Sequence, residues 1–213
     1  MTIQCPAVKL YKSKVNRMKH FIDVLSARYP EPKCALVHDN PYELIVATIL
    51  SAQCTDKQVN KVTPALFKKY PTPNKLAKAT LADVEVLIHS TGFFKHKAKN
   101  LIGMAQAVVN IYNGEIPQNM DELTSLPGVG RKTANVVRAN AFNIPSMVVD
   151  THVIRISNKL GFVATEEPEI IEHLLEKLVP RERWRDYSHQ VIMLGRELCT
   201  AKKTLCDECP VNS

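Results

Sequence analysis

Leu126-Pro127-Gly128-Val129-Gly130-Arg131-Lys132-Thr133 sets two glycines, separated by one residue, between two stretches of helical pattern. Gly128 and Gly130 permit positive φ angles and let the backbone approach a ligand without a Cβ in the way. Upstream, Asn119 with Glu122 three residues on is a capping-box start for a short helix ending near Leu126. Downstream, Ala134, Val137 and Ala141 recur at helical spacing. The segment reads as two helices joined by a tight hairpin whose N–H groups are free to face a phosphate. The positive end of the second helix favours the same anion, which suits the backbone of duplex DNA without reading its sequence. Taken by itself, a plain glycine-containing connection between helices is the better reading of the hairpin.

The rest of the chain carries the same period. Val15, Met18, Phe21, Ile22, Leu25 and Tyr29 form one apolar face, and Ala98, Leu101, Ile102, Ala105, Val108, Val109 and Tyr112 form another that Asn113-Gly114 can stop. Pro41 fits a first helical position behind Asn40, with Glu43 at the reciprocal capping position. Thr55 and Gln58 repeat that spacing, and these signals bracket a connection from Ser51 to Asp56. Thr80 opens a further helix that Thr91-Gly92 can end, and Ile170, Ile171, Leu174, Leu175 and Leu178 make a late stripe. Alternating strand patterns are scarce, so the fold class expected is all-α.

A hydrophobic share of 45% over 213 residues can bury a sizeable core, in one unit or two small lobes. The formal charge of +7 favours an anionic partner, and Lys57, Lys61, Lys68, Lys69, Lys95, Lys97, Lys99, Arg131 and Lys132 could contribute to a DNA-facing surface from several helices. Ordinary solvated helix faces account for many of these charges. No apolar stretch is long enough to span a membrane, and Met1 to Tyr11 lacks a secretory segment, so an intracellular protein is expected.

Ile49-Leu50-Ser51-Ala52-Gln53-Cys54-Thr55-Asp56, Leu126 to Val137, Val149-Asp150-Thr151-His152, and Cys199, Cys206 and Cys209 together resemble the endonuclease III family of helix-hairpin-helix DNA glycosylases and abasic-site lyases, over nearly the whole chain. The resemblance implies two helical lobes: a six-helix lobe, 34–145, holding the helix-hairpin-helix motif, and a discontinuous lobe, 1–33 with 146–213, ending in a cysteine-containing loop. It implies a monomer that acts on damaged double-stranded DNA, cytoplasmic or nucleoid-associated if bacterial. The activity implied is bifunctional: removal of oxidised pyrimidines, then cleavage of the abasic site by β-elimination.

The residues supply a chemistry for that activity. An ordinary lysine, with pKa about 10.4, is protonated near neutrality, so the amine of Lys132 must shed a proton before it attacks C1′ of a deoxyribose. The helix start, Arg131 and partial desolvation disfavour the charged amine, whereas an ionised Asp150 beside it would favour the charge. By the family resemblance Asp150 handles protons and stabilises positive charge developing on the sugar, Lys132 forms a Schiff base, and β-elimination follows. Gln53 enters the gap left by a flipped nucleotide, Gly128, Val129, Gly130 and Arg131 contact the backbone, and His152 contacts DNA or supports Asp150. Local alternatives stand beside these roles: a phosphate-contacting lysine, an aspartate capping the helix after Thr151, an exposed loop glutamine, and a histidine satisfied within its own helix. A monofunctional adenine glycosylase and a helix-hairpin-helix module that only binds DNA are the rival functions; covalent trapping separates them.

Cys199, Cys206 and Cys209 follow Cys-x6-Cys-x2-Cys. The iron–sulfur branch of the family continues with a fourth cysteine, which would fall at position 215, beyond Ser213. A [4Fe–4S] cluster usually takes four cysteine ligands, so the resemblance implies a cluster-type site with an incomplete set. The sequence stopping short of the ligand, a noncysteine substitute, loss of the cluster, or zinc held with His189 all remain open. Cys5, Cys34 and Cys54 are expected to be too remote in sequence to substitute.

Overall fold

Short polar caps start most of the helices in the computed structural model, which describes residues 5–212. In chain order these helices are α1 (Ala7–Leu10), α2 (Lys14–Arg28), α3 (Pro41–Leu50), α4 (Asp56–Lys69), α5 (Pro73–Leu76), α6 (Leu81–Ile88), α7 (Phe94–Tyr112), α8 (Met120–Ser125), α9 (Arg131–Ala141), α10 (Thr151–Lys159), α11 (Pro168–Glu176) and α12 (Trp184–Glu197). Among the described residues there is no β-strand, only an isolated bridge between Cys199 and Thr204. None of these helices is long and apolar enough to cross a membrane. The chain divides into two units, Cys34–Ile144 and Met1–Lys33 with Pro145–Ser213.

In the unit Cys34–Ile144, α3 is the central element: Leu44, Ile45, Val46, Ala47 and Leu50 have no exposed surface, and α4, α7 and α9 pack around it. Pro41 occupies its first turn and Asn40 caps it by accepting the Glu43 N–H at 2.9 Å. The Glu43 carboxylate reaches back to the N–H of Asp39 at 2.8 Å, one residue earlier than a capping box places it. Thr55 and Thr80 cap α4 and α6. Asn113 and Gly114, both at positive φ, stop α7, and the Gly114 N–H bonds to the Val108 carbonyl at 3.0 Å.

The second unit buries Met18, Phe21 and Leu25 of α2 among Val153, Ile156, Tyr187, Val191 and Leu194. Gln190 donates to the Tyr29 carbonyl at 2.8 Å, and the Val148 N–H donates to the Ser188 hydroxyl at 3.0 Å. Two apolar stripes are narrower than the sequence suggests. Val15 is 67% exposed in the first turn of α2, while Ile170 and Leu174, 52% and 37% exposed, flank the buried Ile171 and Leu175 on α11. A helix four residues wide in apolar side chains offers more surface than one layer of neighbours covers.

Candidate nucleic-acid interface

The hairpin between α8 and α9 is pinned from below. Leu123, Leu126 and Val129 are buried, and the Val129 N–H closes the turn on the Leu126 carbonyl at 3.1 Å. Val129 therefore anchors the hairpin, and its N–H is engaged within the turn rather than offered to a phosphate. Gly128 stands at φ +78°, and a Cβ there would lie 2.8 Å from the Asn100 Cβ on α7. Both the left-handed backbone and the close approach of α7 require glycine at this position. Gly130 corrects the expectation of a second positive φ: at φ −90° it is ordinary extended backbone. Its want of a side chain instead leaves the hairpin mouth open, since a Cβ there would meet nothing within 4 Å.

Gly130 also begins α9 without any side-chain cap. The first intrahelical bond runs from the Ala134 N–H to the Gly130 carbonyl at 3.0 Å, so the N–H groups of Arg131, Lys132 and Thr133 precede the ladder. Lys132 is exposed at this start and Arg131 is half-buried beside it. Oriented amides, a positive helix end and an exposed amine share one turn of chain. On α8 the Asn119 side chain accepts from Asp121 at 2.8 Å, two residues on, rather than from Glu122.

Gln53 lies in the same unit, in the connection after α3, exposed and held at φ +52°. A non-glycine residue in the left-handed region costs of order 1–3 kcal/mol and persists where its surroundings impose it. Those surroundings include the Cys54 N–H, which bonds to the Ser51 carbonyl at 3.1 Å, and Lys97 of α7. Lys97 corrects the reading of a DNA-facing lysine: it is 4% exposed, and its ammonium donates to the carbonyls of Leu50 and Thr91, each at 2.8 Å. Burial lowers its pKa below the usual lysine value. The signal for this role was present, because Lys97 falls four residues before Leu101 on the buried stripe of α7. Lys57, Lys61, Lys68, Lys95 and Lys99 are exposed, and Lys69 is paired with Asp83 at 2.8 Å.

In the other unit, Asp150 caps α10. Its Oδ1 accepts the N–H groups of both His152 and Val153, at 2.8 and 2.9 Å. The capping duty thus falls on one of its two oxygens. His152 is packed hard against α12: a Cβ at Gly195 would lie 2.9 Å from the His152 Cβ. Its Nδ1 is 3.1 Å from an Arg155 guanidinium nitrogen, and the same nitrogen donates to the Cys199 carbonyl at 2.6 Å. Burial pushes the imidazole pKa down, with Asp150 opposing and Arg155 and Arg196 reinforcing the shift. These contacts are those of a histidine satisfied by its own fold.

Cys199, Cys206 and Cys209 are free thiols, half-buried, that line one cavity walled by Leu160, Leu194 and Val211. Cys5 lines it as well, which corrects the expectation that distance in sequence removes it. Among the described residues no group of three or more histidine, cysteine or acidic side chains is drawn close enough together to hold a single metal ion. His189 is not part of this wall; burial and Arg185 lower its pKa, with Asp186 and Arg196 nearby.

Residues 46–181 match the HhH-GPD superfamily of base excision DNA repair proteins. The endonuclease III of Synechocystis sp. is 50% identical over 198 residues, 92% of this chain and 90% of that protein. The chain belongs to the endonuclease III family. Two solved members of the family align with it at a TM-score of 0.89 and 43% identity, covering 92% of this chain. One is a non-covalent endonuclease III–DNA complex, 92% covered, and the other an endonuclease III trapped as a covalent intermediate with DNA, 93% covered.

Proposed function

We propose that the chain is a bifunctional DNA repair enzyme that removes oxidised pyrimidines from duplex DNA and cleaves the resulting abasic strand through an imine on Lys132. The observation that carries the reading is the covalent DNA intermediate of a relative 43% identical to this chain, set beside an exposed lysine at an uncapped helix start behind a glycine hairpin.

In this reading Lys132 gives up a proton, and its nitrogen attacks C1′ as the bond to the damaged base breaks and the base leaves with a proton. Opening of the sugar ring transfers the C1′–O4′ electron pair to O4′ and leaves an iminium. Loss of a C2′ proton then expels the 3′ phosphate, and hydrolysis of the imine returns the lysine. Asp150 is the proton-handling carboxylate; one oxygen caps α10 and the other is left for this work. The N–H groups at the start of α9 hold a backbone phosphate, with Gly130 admitting it closely, and Gln53 occupies the gap in the base stack. His152 supports α10. Acting on DNA, the enzyme works in the compartment that holds the genome.

An iron–sulfur cluster belongs to this reading as a structural group. The fit rests on the donor chemistry: free thiols lining one cavity with aliphatic walls are soft ligands in a dry setting. Cys199, Cys206 and Cys209 would hold it, and when bound it supplies a rigid covalent tie for the loop that carries the exposed Lys202 and Lys203.

Borohydride reduction on duplex DNA with one abasic site tests the enzyme. A covalent adduct with the parent protein and none with Lys132→Ala, at equal DNA occupancy, supports the imine. Binding by the parent without adduct or cleavage overturns it in favour of a monofunctional glycosylase or a binding module.

A further inference from the structure

We propose that Cys5 is the fourth thiolate ligand of an iron–sulfur cluster held by Cys199, Cys206 and Cys209. The inference rests on reading the cysteine loop as a cluster site, and it adds a ligand from the opposite end of the described chain.

The geometry begins with the cavity, whose wall includes all four of these thiols. The chain has six cysteines, and the other two, Cys34 and Cys54, belong to the unit Cys34–Ile144. Every cysteine of the unit that holds the loop therefore faces the same space. None of the four is in a disulfide.

Cys5 is also fixed there by its neighbours. Its N–H donates to the Lys159 carbonyl at 3.1 Å, and the N–H of Ala7 donates to the Asn212 side-chain oxygen at 3.1 Å. That oxygen lies 3.1 Å from the Cys5 sulfur, while the Asn212 side-chain nitrogen donates to the Cys206 carbonyl at 2.8 Å. One amide thus clasps the Cys5 segment to the backbone of a loop cysteine. Both α1 and α2 pack against the turn Pro210–Asn212, and His20 adds a contact to the Val211 carbonyl at 3.3 Å.

The chemistry of the thiol agrees with a ligand and disagrees with a nucleophile. Burial pushes Cys5 up to about 11; the sulfurs of Cys209, Cys206 and Cys199 add to the shift, and the Ala7 N–H opposes it. A protonated thiol in such surroundings is inert. Ferric and ferrous iron reverse that, because a coordinating thiol is deprotonated outright. On ligation the S–H bond breaks, its proton leaves to solvent and an Fe–S bond forms. Asn212 loses the thiol as donor and keeps the Ala7 N–H.

The test is the iron and acid-labile sulfide content of the 213-residue protein, purified anaerobically after reconstitution, for the parent, Cys5→Ser, Cys199→Ser and Cys34→Ser. The proposal expects about four of each per chain in the parent and in Cys34→Ser. It expects loss of the cluster, or an EPR-active three-iron form, in Cys5→Ser, with circular dichroism unchanged. A complete four-iron cluster in Cys5→Ser overturns the proposal while leaving the loop reading intact. Absence of iron and sulfide from the parent overturns both, and leaves the lysine-dependent trapping to be judged separately. Should Cys5→Ser fail to fold, alkylation of the loaded parent decides: protection of Cys5 together with the loop cysteines, lost on stripping the iron, supports ligation, and free labelling of Cys5 in the loaded protein refutes it.

Discussion

The ammonium of Lys97 donates to the carbonyl of Leu50, and so ties the middle of one helix's first turns to the last turn of another. The backbone leaves that carbonyl for Ser51 and turns left-handed at Gln53. Replacing Lys97 by Met removes the donor for two buried carbonyls, and leaving buried acceptors unpaired costs about 1–3 kcal/mol. Lys97→Met should lose about 2 kcal/mol of stability in urea unfolding. It should also weaken binding to lesion-containing duplex by relaxing the turn that presents Gln53; unchanged stability would show that the buried ammonium is dispensable.

The two hairpin glycines should separate in their effects. Gly128→Ala meets both a left-handed backbone and the Asn100 side chain, so it should destabilise by about 2 kcal/mol. Gly130→Ala should stay within about 0.5 kcal/mol of the parent, because its backbone is extended and its surroundings are open. Its DNA affinity should nonetheless fall, since in the proposed function the new methyl would sit where a phosphate approaches. Urea unfolding and fluorescence anisotropy on the same samples distinguish the two.

Asp150 carries a capping duty and, in the proposed function, a chemical one, and the substitutions can be chosen to split them. Asn retains an oxygen for the His152 and Val153 N–H groups and removes the second carboxylate oxygen, so Asp150→Asn should fold like the parent and lose on the order of 100-fold or more in base release. Asp150→Ala should lose a similar rate and a further ~1 kcal/mol of stability. Equal stability of the two variants would argue against the cap.

The lowered pKa of His152 sets the sign of a pH effect. An unfolded histidine titrates near about 6.5. Because burial depresses the folded value, the unfolded chain binds more protons in the window below that, so stability is present above it and is lost as pH falls towards the folded value. His189 is shifted the same way. Unfolding free energy should therefore rise as pH climbs towards about 6.5, and His152→Gln should flatten part of that rise. A slope unaltered in the variant would assign the effect elsewhere.

Local signals in the sequence carried most of the helical architecture. Asn40-Pro41, Thr55, Thr80 and Asn113-Gly114 act within three or four residues of themselves, and each starts or stops the helix that its chemistry suggests. What needed three dimensions was a partner's position. Gly130 is identical to Gly128 as a letter and differs in the φ that the hairpin imposes. The place of Lys97 on the stripe four residues before Leu101 marks it as turned inward, but the carbonyls of Leu50 and Thr91 that receive its ammonium are visible only in the fold. Ile170 and Leu174 are as apolar as Ile171 and Leu175, and only the number of packed neighbours separates them. Cys5 lies far from the loop cysteines in sequence, and the clasp through Asn212 is a tertiary contact that no local pattern encodes.

Arg155 sits a little more than one turn behind Asp150 on α10, and its guanidinium grips the carbonyls of Gly195 and Cys199. The carboxylate at the head of that rod and the first residue of the cysteine loop are consequently parts of one lever. The order of the cysteine loop and the order of the cap that starts α10 are thus coupled through a single guanidinium.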